Sequence, residues 1–216
     1  MDARGTPLGV ALSSANRHDS TMLTATLDAV PPGARVMDIG GGPGGVARHL
    51  ADKGCDTAVV DQHPPVEEDA RIRVHVQDLD APLGFDVRGY DYLLLLDVIE
   101  HLKDPEGFLE RLRGQFGYEP QHVVLTTPNM GFFVQRLMLL AGQFNYGKAG
   151  ILDRTHTRLF TFRSLRHLLR DSGFRLKAVR GVPAPFPKVL GEGVLGQAAL
   201  QANLALIRLS PTLFAY

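Results

Sequence analysis

The chain has 216 residues, of which 44% are hydrophobic and 21% charged, and its 23 basic side chains balance its 23 acidic ones. These proportions exclude a disordered, collagen-like or coiled-coil chain, and the zero net charge gives no bulk attraction to nucleic acid. The single cysteine, Cys55, excludes an internal disulfide, and no purely apolar run, Leu93–Leu96 among them, is long enough to span a membrane. We therefore expect a single cytoplasmic domain over residues 20–216, preceded by a flexible segment over residues 1–19.

Strand and helix patterns alternate along the chain. Short apolar segments predict strands at 34–39, 57–60, 71–76, 91–97, 122–127 and 174–182. Caps, breakers and apolar spacing predict helices at 20–30, 43–53, 105–113, 132–140, 163–171 and 195–209. The alternation with short loops indicates an α/β, doubly wound sheet, with an insertion on the substrate side at about 129–162.

A glycine cluster follows the first predicted strand and precedes a predicted helix. The segment Val36–Gly45 reads V-M-D-I-G-G-G-P-G-G. Glycines let the backbone approach a ligand closely, and the start of a helix offers free N–H groups. Asp61, at the end of the next strand and 23 residues after Asp38, has the position of a carboxylate that binds the two hydroxyls of a ribose. The segment therefore predicts a nucleoside-binding loop.

Two kinds of ligand fit this loop. Gly40, Gly42 and Gly45 satisfy the dinucleotide fingerprint G-x-G-x-x-G. Asp38, however, would repel a pyrophosphate and attract a cationic amino group, either directly or through water. The Tyr-x-x-x-Lys pair of short-chain dehydrogenases is also missing, since Tyr146 is followed by Lys148. The loop alone favours a cationic nucleoside and leaves a nicotinamide cofactor as the alternative.

Three segments carry a resemblance to a known family. Asp38, Gly40, Gly42 and Gly44 form D-x-G-x-G-x-G, which resembles motif I of class I S-adenosylmethionine methyltransferases. The run D-V-I-E-H-L-K-D-P at 97–105 is similar to the ubiquinone-biosynthesis O-methyltransferases and their bacterial relatives. The run G-I-L-D-R-T-H-T-R-L-F-T at 150–161 resembles methyltransferases linked with polysaccharide glycosyltransferases. The resemblance covers about residues 15–182.

The resemblance implies a fold, a cofactor and its contacts. The fold would be a Rossmann-like, mostly parallel seven-stranded sheet with helices on both faces. Its last strand would begin near 212–216, where the sequence ends, and would be short or cut off. The cofactor would be S-adenosylmethionine, with S-adenosylhomocysteine as product; Asp78 would accept a hydrogen bond from the adenine amino group and Arg17 would reach the cofactor carboxylate. The implied cofactor-binding residues are Asp38, Gly40, Gly42, Gly44, Asp61, Gln62, Asp78, Leu79, Asp97 and Arg17.

His101 is the first candidate for the chemistry because it directly follows the fourth predicted strand. A neutral imidazole there could deprotonate a hydroxyl near neutral pH or bind the substrate. Asp97, Glu100 and His101 also form D-x-x-E-H, which is similar to an E-x-x-E-H segment associated with divalent metals in the ubiquinone O-methyltransferases. The alternative is that Glu100 and His101 only cap the next helix and line the pocket, without a metal.

The second candidate is the polar loop before Leu159. In it His156 could act as the base, with Asp153 or Arg158 orienting it or the substrate. The alternative is a loop that holds its own backbone in place through Asp153 and Thr155.

The resemblance implies O-methylation of a small molecule, a glycan or a biosynthetic intermediate, and the neutral charge balance predicts no nucleic-acid partner. The apolar helix at 132–140 would roof the pocket and favour a bulky or lipid-like acceptor. The first alternative is an inactive S-adenosylmethionine-binding module that acts through a partner. The second is a nicotinamide-dependent oxidoreductase.

Overall fold

The computed structural model describes residues 7–12, 27–28, 30–63, 68–117 and 120–216. Its strands are β1 (Pro7–Leu12), β2 (Arg35–Ile39), β3 (Asp56–Asp61), β4 (Ile72–Val76), β5 (Tyr92–Leu96), β6 (His122–Thr126) and β7 (Arg175–Gly181). Its helices are α1 (Gly45–Asp52), α2 (Pro105–Gly114), α3 (Phe133–Leu140), α4 (Phe162–Asp171), α5 (Phe186–Leu190), α6 (Val194–Leu209) and α7 (Pro211–Phe214). The predicted helix at 20–30 lies mostly outside the described residues, and Arg17 lies wholly outside them.

The seven strands form one sheet in the order β4-β3-β2-β5-β6-β1-β7. All the neighbouring strands pair in parallel, as in the register Val36↔Tyr92 between β2 and β5. The strand order reverses beside β2, so the carboxyl ends of β2 and β5 border a crevice of the kind in which open α/β sheets bind ligands. The doubly wound α/β fold predicted from the sequence is confirmed.

The seventh strand comes from the amino-terminal end of the chain. β1 lies between β6 and β7, with Leu8 paired to Val123 and Pro7 paired to Arg175. The sequence analysis assigned residues 1–19 to a flexible segment, and for residues 7–12 that assignment is wrong. Both partners of β1 are more than 100 residues away in sequence, so its pairing could not be inferred from its neighbours along the chain.

The carboxyl-terminal residues also differ from expectation. Residues 212–216 were expected to begin the last strand, but α7 runs from Pro211 to Phe214. Pro211 stands in the first turn of that helix, where its missing N–H costs no hydrogen bond. The seventh strand of the sheet is therefore β1, and residues 211–214 add no strand to it.

Helices cover both faces of the sheet, as the alternation of β5 shows. Leu93 and Leu95 point into the larger core cluster, which includes Phe108 and Leu112 of α2. Leu94 points into a second cluster on the opposite face, which includes Leu50 of α1. Such burial on both faces explains the uninterrupted apolar sequence of this strand.

Side-chain caps fix where two of the helices begin. Asp104 caps α2 by accepting a hydrogen bond from the Gly107 N–H at 2.9 Å, and Thr161 forms a capping box with Ser164 at the start of α4. Within the described residues, no helix combines the length and apolar character needed to cross a bilayer.

Candidate functional site

A cavity of about 650 Å³ opens at the carboxyl ends of β2, β3, β4 and β5. This volume lies in the range that holds a cofactor-sized ligand. The lining residues are Gly40, Gly42, Pro43, Asp61, Gln62, His63, Gln77, Asp78, Leu79, Asp80, Asp97, Val98, His101, Leu102 and Thr155. The cavity therefore brings together Gly40, Gly42, Asp61, Gln62, Asp78, Leu79, Asp97 and His101, all of which the sequence analysis singled out.

The glycine loop packs tightly against the start of the segment that follows β5. Gly40 has a φ of 75°, and a Cβ placed on it would come within 2.6 Å of Val98 Cγ2. Only glycine accepts this backbone conformation without strain, and only glycine leaves room for Val98. The loop is thereby held against the cavity with its backbone exposed to a ligand.

Asp61 faces the cavity and also fixes the shape of the glycine loop. Its Oδ2 accepts a hydrogen bond from the Gly42 N–H at 2.7 Å, and its Oδ1 accepts one from the His63 N–H at 3.0 Å. Each carboxylate oxygen can accept a second hydrogen bond. Asp61 therefore retains the capacity to receive the hydroxyls of a ribose.

Asp38 lies beneath the loop instead of in the cavity. Its side chain is only 2% exposed, and a Cβ on Gly41 would come within 2.6 Å of its Oδ2. Asp38 does not line the cavity, and neither does Gly44, which caps the start of α1. The contacts predicted for these two residues with a cofactor stay predictions.

Asp97 holds an unusual backbone conformation at the end of β5. Its φ is 53°, the only positive value for a non-glycine residue among those described. Thr126 stabilises this arrangement, because its hydroxyl accepts from the Asp97 N–H at 2.9 Å and donates to Asp97 Oδ1 at 2.8 Å. Strained backbone held in this way is concentrated at functional sites.

Two distant segments meet beside the cavity at Glu100. The Glu100 carbonyl accepts hydrogen bonds from the Thr157 N–H at 2.8 Å and the Arg158 N–H at 3.0 Å. The Thr157 hydroxyl donates to the Leu102 carbonyl at 2.6 Å. These bonds join the segment after β5 to the polar loop and place His101 beside His156, with 4.8 Å between the ring centroids.

Both imidazoles have one nitrogen held by a backbone carbonyl. His101 Nδ1 lies 3.1 Å from the Thr155 carbonyl, and His156 Nδ1 lies 2.9 Å from the Ile151 carbonyl. A carbonyl oxygen only accepts, so in this arrangement each Nδ1 carries a proton and donates it to the carbonyl. His101 borders the cavity, whereas His156 is only 5% exposed, which makes His101 the better placed base.

The same two histidines form a possible cation site with a buried carboxylate. Glu100, His101 and His156 each offer a ligand atom, and these atoms lie within 4.8 Å of one another. This group differs from the set expected from D-x-x-E-H, because His156 takes the place of Asp97, whose carboxylate is bonded to Thr126. Carboxylate oxygen and imidazole nitrogen together suit a divalent cation.

Asp153 and Arg158 make contacts that stabilise the polar loop. Asp153 Oδ1 accepts from the Thr155 N–H at 2.8 Å and the Thr155 hydroxyl at 2.7 Å, and these bonds lower the pKa of Asp153. Arg158 pairs with Glu106 at 2.5 Å. The structure therefore favours the alternative in which Asp153 and Thr155 hold the loop backbone, while the His156 ring is oriented by the Ile151 carbonyl.

Seven lining residues were not singled out from the sequence. They are Pro43, His63, Gln77, Asp80, Val98, Leu102 and Thr155. Most of them follow a strand closely, so distance from a strand end is the signal that could have found them. Thr155 reaches the cavity only through the bonds between the polar loop and Glu100, and no sequence signal indicates that contact.

A family model described as a methyltransferase domain matches residues 16–179 of the chain. No curated protein matches the sequence of this chain. Three solved structures are similar to this chain, each at under 25% identity, and the two with a TM-score above 0.5 share its fold. One is a protein assigned to methyl transfer in an antibiotic biosynthesis pathway of Anabaena variabilis, with 14% identity, a TM-score of 0.54, and coverage of 87% of this chain and 79% of that one.

The second is phosphoethanolamine N-methyltransferase 2 of Haemonchus contortus, in complex with phosphomonomethylethanolamine and S-adenosylhomocysteine. It has 20% identity, a TM-score of 0.51, and coverage of 74% of this chain and 37% of that one. The third is 1,6-didemethyltoxoflavin-N1-methyltransferase of Burkholderia thailandensis, with 20% identity, a TM-score of 0.48, and coverage of 72% and 65%. This chain thus spans less than two thirds of the length of the last two proteins.

Proposed function

This chain belongs to the family of methyltransferase domains, and from that premise we propose that it transfers the methyl group of S-adenosylmethionine to an oxygen of its acceptor. The observation that carries the proposal is that the glycine loop, Asp61 and His101 all line the same cavity. A cofactor and an acceptor held in one space can meet in the geometry that a displacement reaction needs. Acceptor identity is a further proposal, argued below.

The charge of the cavity supports S-adenosylmethionine over a dinucleotide. Among the described residues that line it are four carboxylates, Asp61, Asp78, Asp80 and Asp97, and no Lys or Arg. A lining of this sign favours a cationic ligand and disfavours a pyrophosphate. The nicotinamide alternative therefore finds no support in the site.

We assign the cofactor contacts by their place in the cavity. Asp61 would accept from the ribose hydroxyls, while Asp78 and Leu79 would contact the adenine. The exposed backbone at Gly40 and Gly42 would pass close to the methionyl part. Asp38 would act from beneath the loop, and Arg17 stays a predicted contact outside the described residues.

His101 would prepare the acceptor for attack. Bound S-adenosylmethionine supplies an activated methyl group on a sulfonium, so the protein has to align the acceptor oxygen and remove its proton. His101 Nε2 would take that proton as the oxygen bonds to the methyl carbon and the carbon–sulfur bond breaks. The buried Glu100 carboxylate, beside the two imidazoles, would stabilise the positive charge that His101 gains.

The acceptor that we propose is a small molecule, a glycan or a biosynthetic intermediate. The Haemonchus neighbour is in complex with a small phosphorylated amine, which supports a small acceptor for this chain. The partly exposed apolar helix α3, next to the polar loop, supports an acceptor with an apolar part. The expected compartment is the cytoplasm.

A thermal-shift titration tests the cofactor. A ligand at 100 times its Kd adds about 2.7 kcal/mol to the free energy of unfolding. We expect S-adenosylmethionine and S-adenosylhomocysteine to raise the melting temperature, and Asp61→Ala to reduce that shift. Asp86→Ala is the matched control, because Asp86 is an exposed carboxylate paired with Arg88 outside the cavity. A shift with NAD(P) alone would contradict the proposal.

A second role for the histidine cluster follows from its donor set. Glu100, His101 and His156 fit a divalent cation, and a cation held by them would polarise the acceptor hydroxyl. Methyl transfer measured after dialysis against EDTA decides between the two roles. Loss of activity that Mg²⁺ or Zn²⁺ restores assigns the cluster to a metal, and unchanged activity assigns it to proton transfer alone.

A measurement of methyl transfer by the unmodified protein tests the alternative that the chain is an inactive S-adenosylmethionine-binding module. A module would bind S-adenosylhomocysteine yet release no labelled product from methyl-labelled S-adenosylmethionine with any hydroxylated acceptor of a broad panel. An enzyme would release product, and His101→Ala would abolish that release without changing the thermal shift.

A further inference from the structure

The amino-terminal and carboxyl-terminal parts of the sequence carry opposite net charge, although the whole chain is neutral. Residues 129–216 contain twelve Lys or Arg and three Asp or Glu, a formal charge of +9. Residues 1–128 contain eleven basic and twenty acidic residues, a formal charge of −9. A charge asymmetry of this size is typical of a surface that meets a charged partner.

The exposed apolar side chains lie in the same basic part. Of the large apolar side chains that are exposed in the described part of the chain, all but Val74 and Val76 belong to residues 137–209. We define the apolar rim as the exposed side chains of two groups, one on α3 and the loop after it and one on α5 and the start of α6. Its members are Leu137, Leu139, Leu140, Phe144 and Tyr146, and Val189, Leu190, Val194 and Leu195.

The two groups of the apolar rim arise close together. α3 follows β6 and α5 follows β7, so both begin at the carboxyl edge of the sheet. Their first turns meet in one buried cluster, where Phe132 and Ala184 pack with Phe133 and Phe186. The two helices that carry the rim therefore begin at the edge of the sheet that also holds the cavity.

The exposure of this rim is too large for an ordinary surface. Leu140 is 84% exposed, Val189 77%, Val194 89% and Leu195 68%. Water-exposed apolar clusters of this kind mark sites of protein or membrane contact. Phe144 and Tyr146 pack edge to face at 5.6 Å between ring centroids, and such rings suit the boundary between a polar and an apolar phase.

Charge selects between a membrane and a protein partner. The two segments that carry the rim, residues 130–152 and 182–216, contain four basic residues, Arg136, Lys148, Lys188 and Arg208, and one acidic residue, Glu192. Apolar side chains that insert, among basic side chains that remain at the surface, are the combination that binds anionic lipid headgroups. We propose that the apolar rim docks this protein on the surface of a membrane that contains anionic lipids.

This docking would present the cavity to the bilayer surface, where an acceptor with a lipid-like part would be found. The proposal does not depend on methyl transfer, because vesicle binding is measured without cofactor or acceptor. Its failure and the failure of the proposed function are therefore separate results.

Sedimentation with vesicles tests the docking. We expect the full chain to bind phosphatidylcholine vesicles containing 30% phosphatidylglycerol at least tenfold more tightly than pure phosphatidylcholine vesicles. Raising NaCl from 0.1 to 0.5 M should weaken the binding, since salt screens the headgroup attraction. The variant Leu137→Ser, Leu140→Ser, Val194→Ser, Leu195→Ser should lose at least tenfold in affinity.

The matched control is Val74→Ser, Val76→Ser. These two side chains are 45% and 63% exposed on β4, which is the outermost strand on one side of the sheet, whereas β7 is the outermost strand on the other side. Their loss should therefore leave vesicle binding unchanged. Each variant is accepted only if its melting temperature and its circular dichroism spectrum match those of the parent.

Two results would overturn the proposal. Equal binding by the quadruple variant would show that the rim does not contact lipid. Absence of binding to anionic vesicles would do the same, and a dimer in size-exclusion chromatography that the quadruple variant dissociates would then assign the rim to a second copy of the chain.

Discussion

The glycine-loop side and the histidine side of the cavity are built in different ways. The glycine loop and Asp61 come from one continuous stretch, β2 to the end of β3, and are joined by the bond from Gly42 to Asp61. The histidine side needs two segments more than 50 residues apart, which meet where Thr157 bonds to the Glu100 carbonyl. The difference implies that cofactor binding and acceptor activation can be lost separately, and four predictions test it.

The largest expected effect is on turnover at the histidine side. His101→Ala should lower the rate of methyl transfer by about 10²–10⁴-fold, because the acceptor loses its base. The affinity for S-adenosylhomocysteine should stay within about threefold, as measured by calorimetry, since the loop side is intact. His167→Ala is the control, an exposed histidine on α4. If His101→Ala weakened cofactor binding by as much as it lowered turnover, cofactor binding and acceptor activation would not be separable.

The next effect is on cofactor affinity at the loop side. Asp61→Ala should weaken S-adenosylhomocysteine binding by about 10- to 100-fold, since a hydrogen bond to a charged group is worth ~1.5–3 kcal/mol. The same change leaves the Gly42 N–H without its carboxylate partner. Calorimetry compares the affinity of Asp61→Ala for S-adenosylhomocysteine with that of the control Asp86→Ala. If the two variants bind S-adenosylhomocysteine equally well, Asp61 does not contact the cofactor.

A stability effect should follow from the backbone of the loop. Gly40→Ala introduces a Cβ at a φ of 75° and 2.6 Å from Val98 Cγ2, which should cost about 1–3 kcal/mol in urea unfolding. Gly45→Ala is the matched control, because its Cβ meets nothing within 4 Å and its φ is not positive. If both variants lose equal stability, the close approach of Gly40 to Val98 is not a constraint.

The smallest effect should come from the bonds between the two segments. Thr157→Val removes the hydroxyl that donates to Leu102 and Glu100, at a cost of about 1 kcal/mol in urea unfolding. Turnover should fall while cofactor affinity is kept, because only the histidine side moves. Arg158→Gln, which breaks an exposed ion pair with Glu106, should cost about 0–1 kcal/mol. Unchanged turnover in Thr157→Val would show that this bond does not position His101.

Sequence alone determined the loop side and most of the sheet. The positions of Gly40, Gly42 and Asp61 follow from a strand, a turn and a helix in immediate succession, whose geometry local chemistry largely decides. The apolar run of β5 likewise predicted a strand buried on both faces, and Leu93, Leu94 and Leu95 confirm it.

Tertiary structure decided what depends on partners distant in sequence. β1 is a strand because β6 and β7 pair with it, and residues 211–214 form a helix where the sequence led us to expect a strand. His156, not Asp97, joins Glu100 and His101, since hydrogen bonds from Thr157 and Arg158 bring the polar loop to the cavity. Local sequence propensity cannot predict such contacts, because they stabilise the fold only after the distant segments have come together.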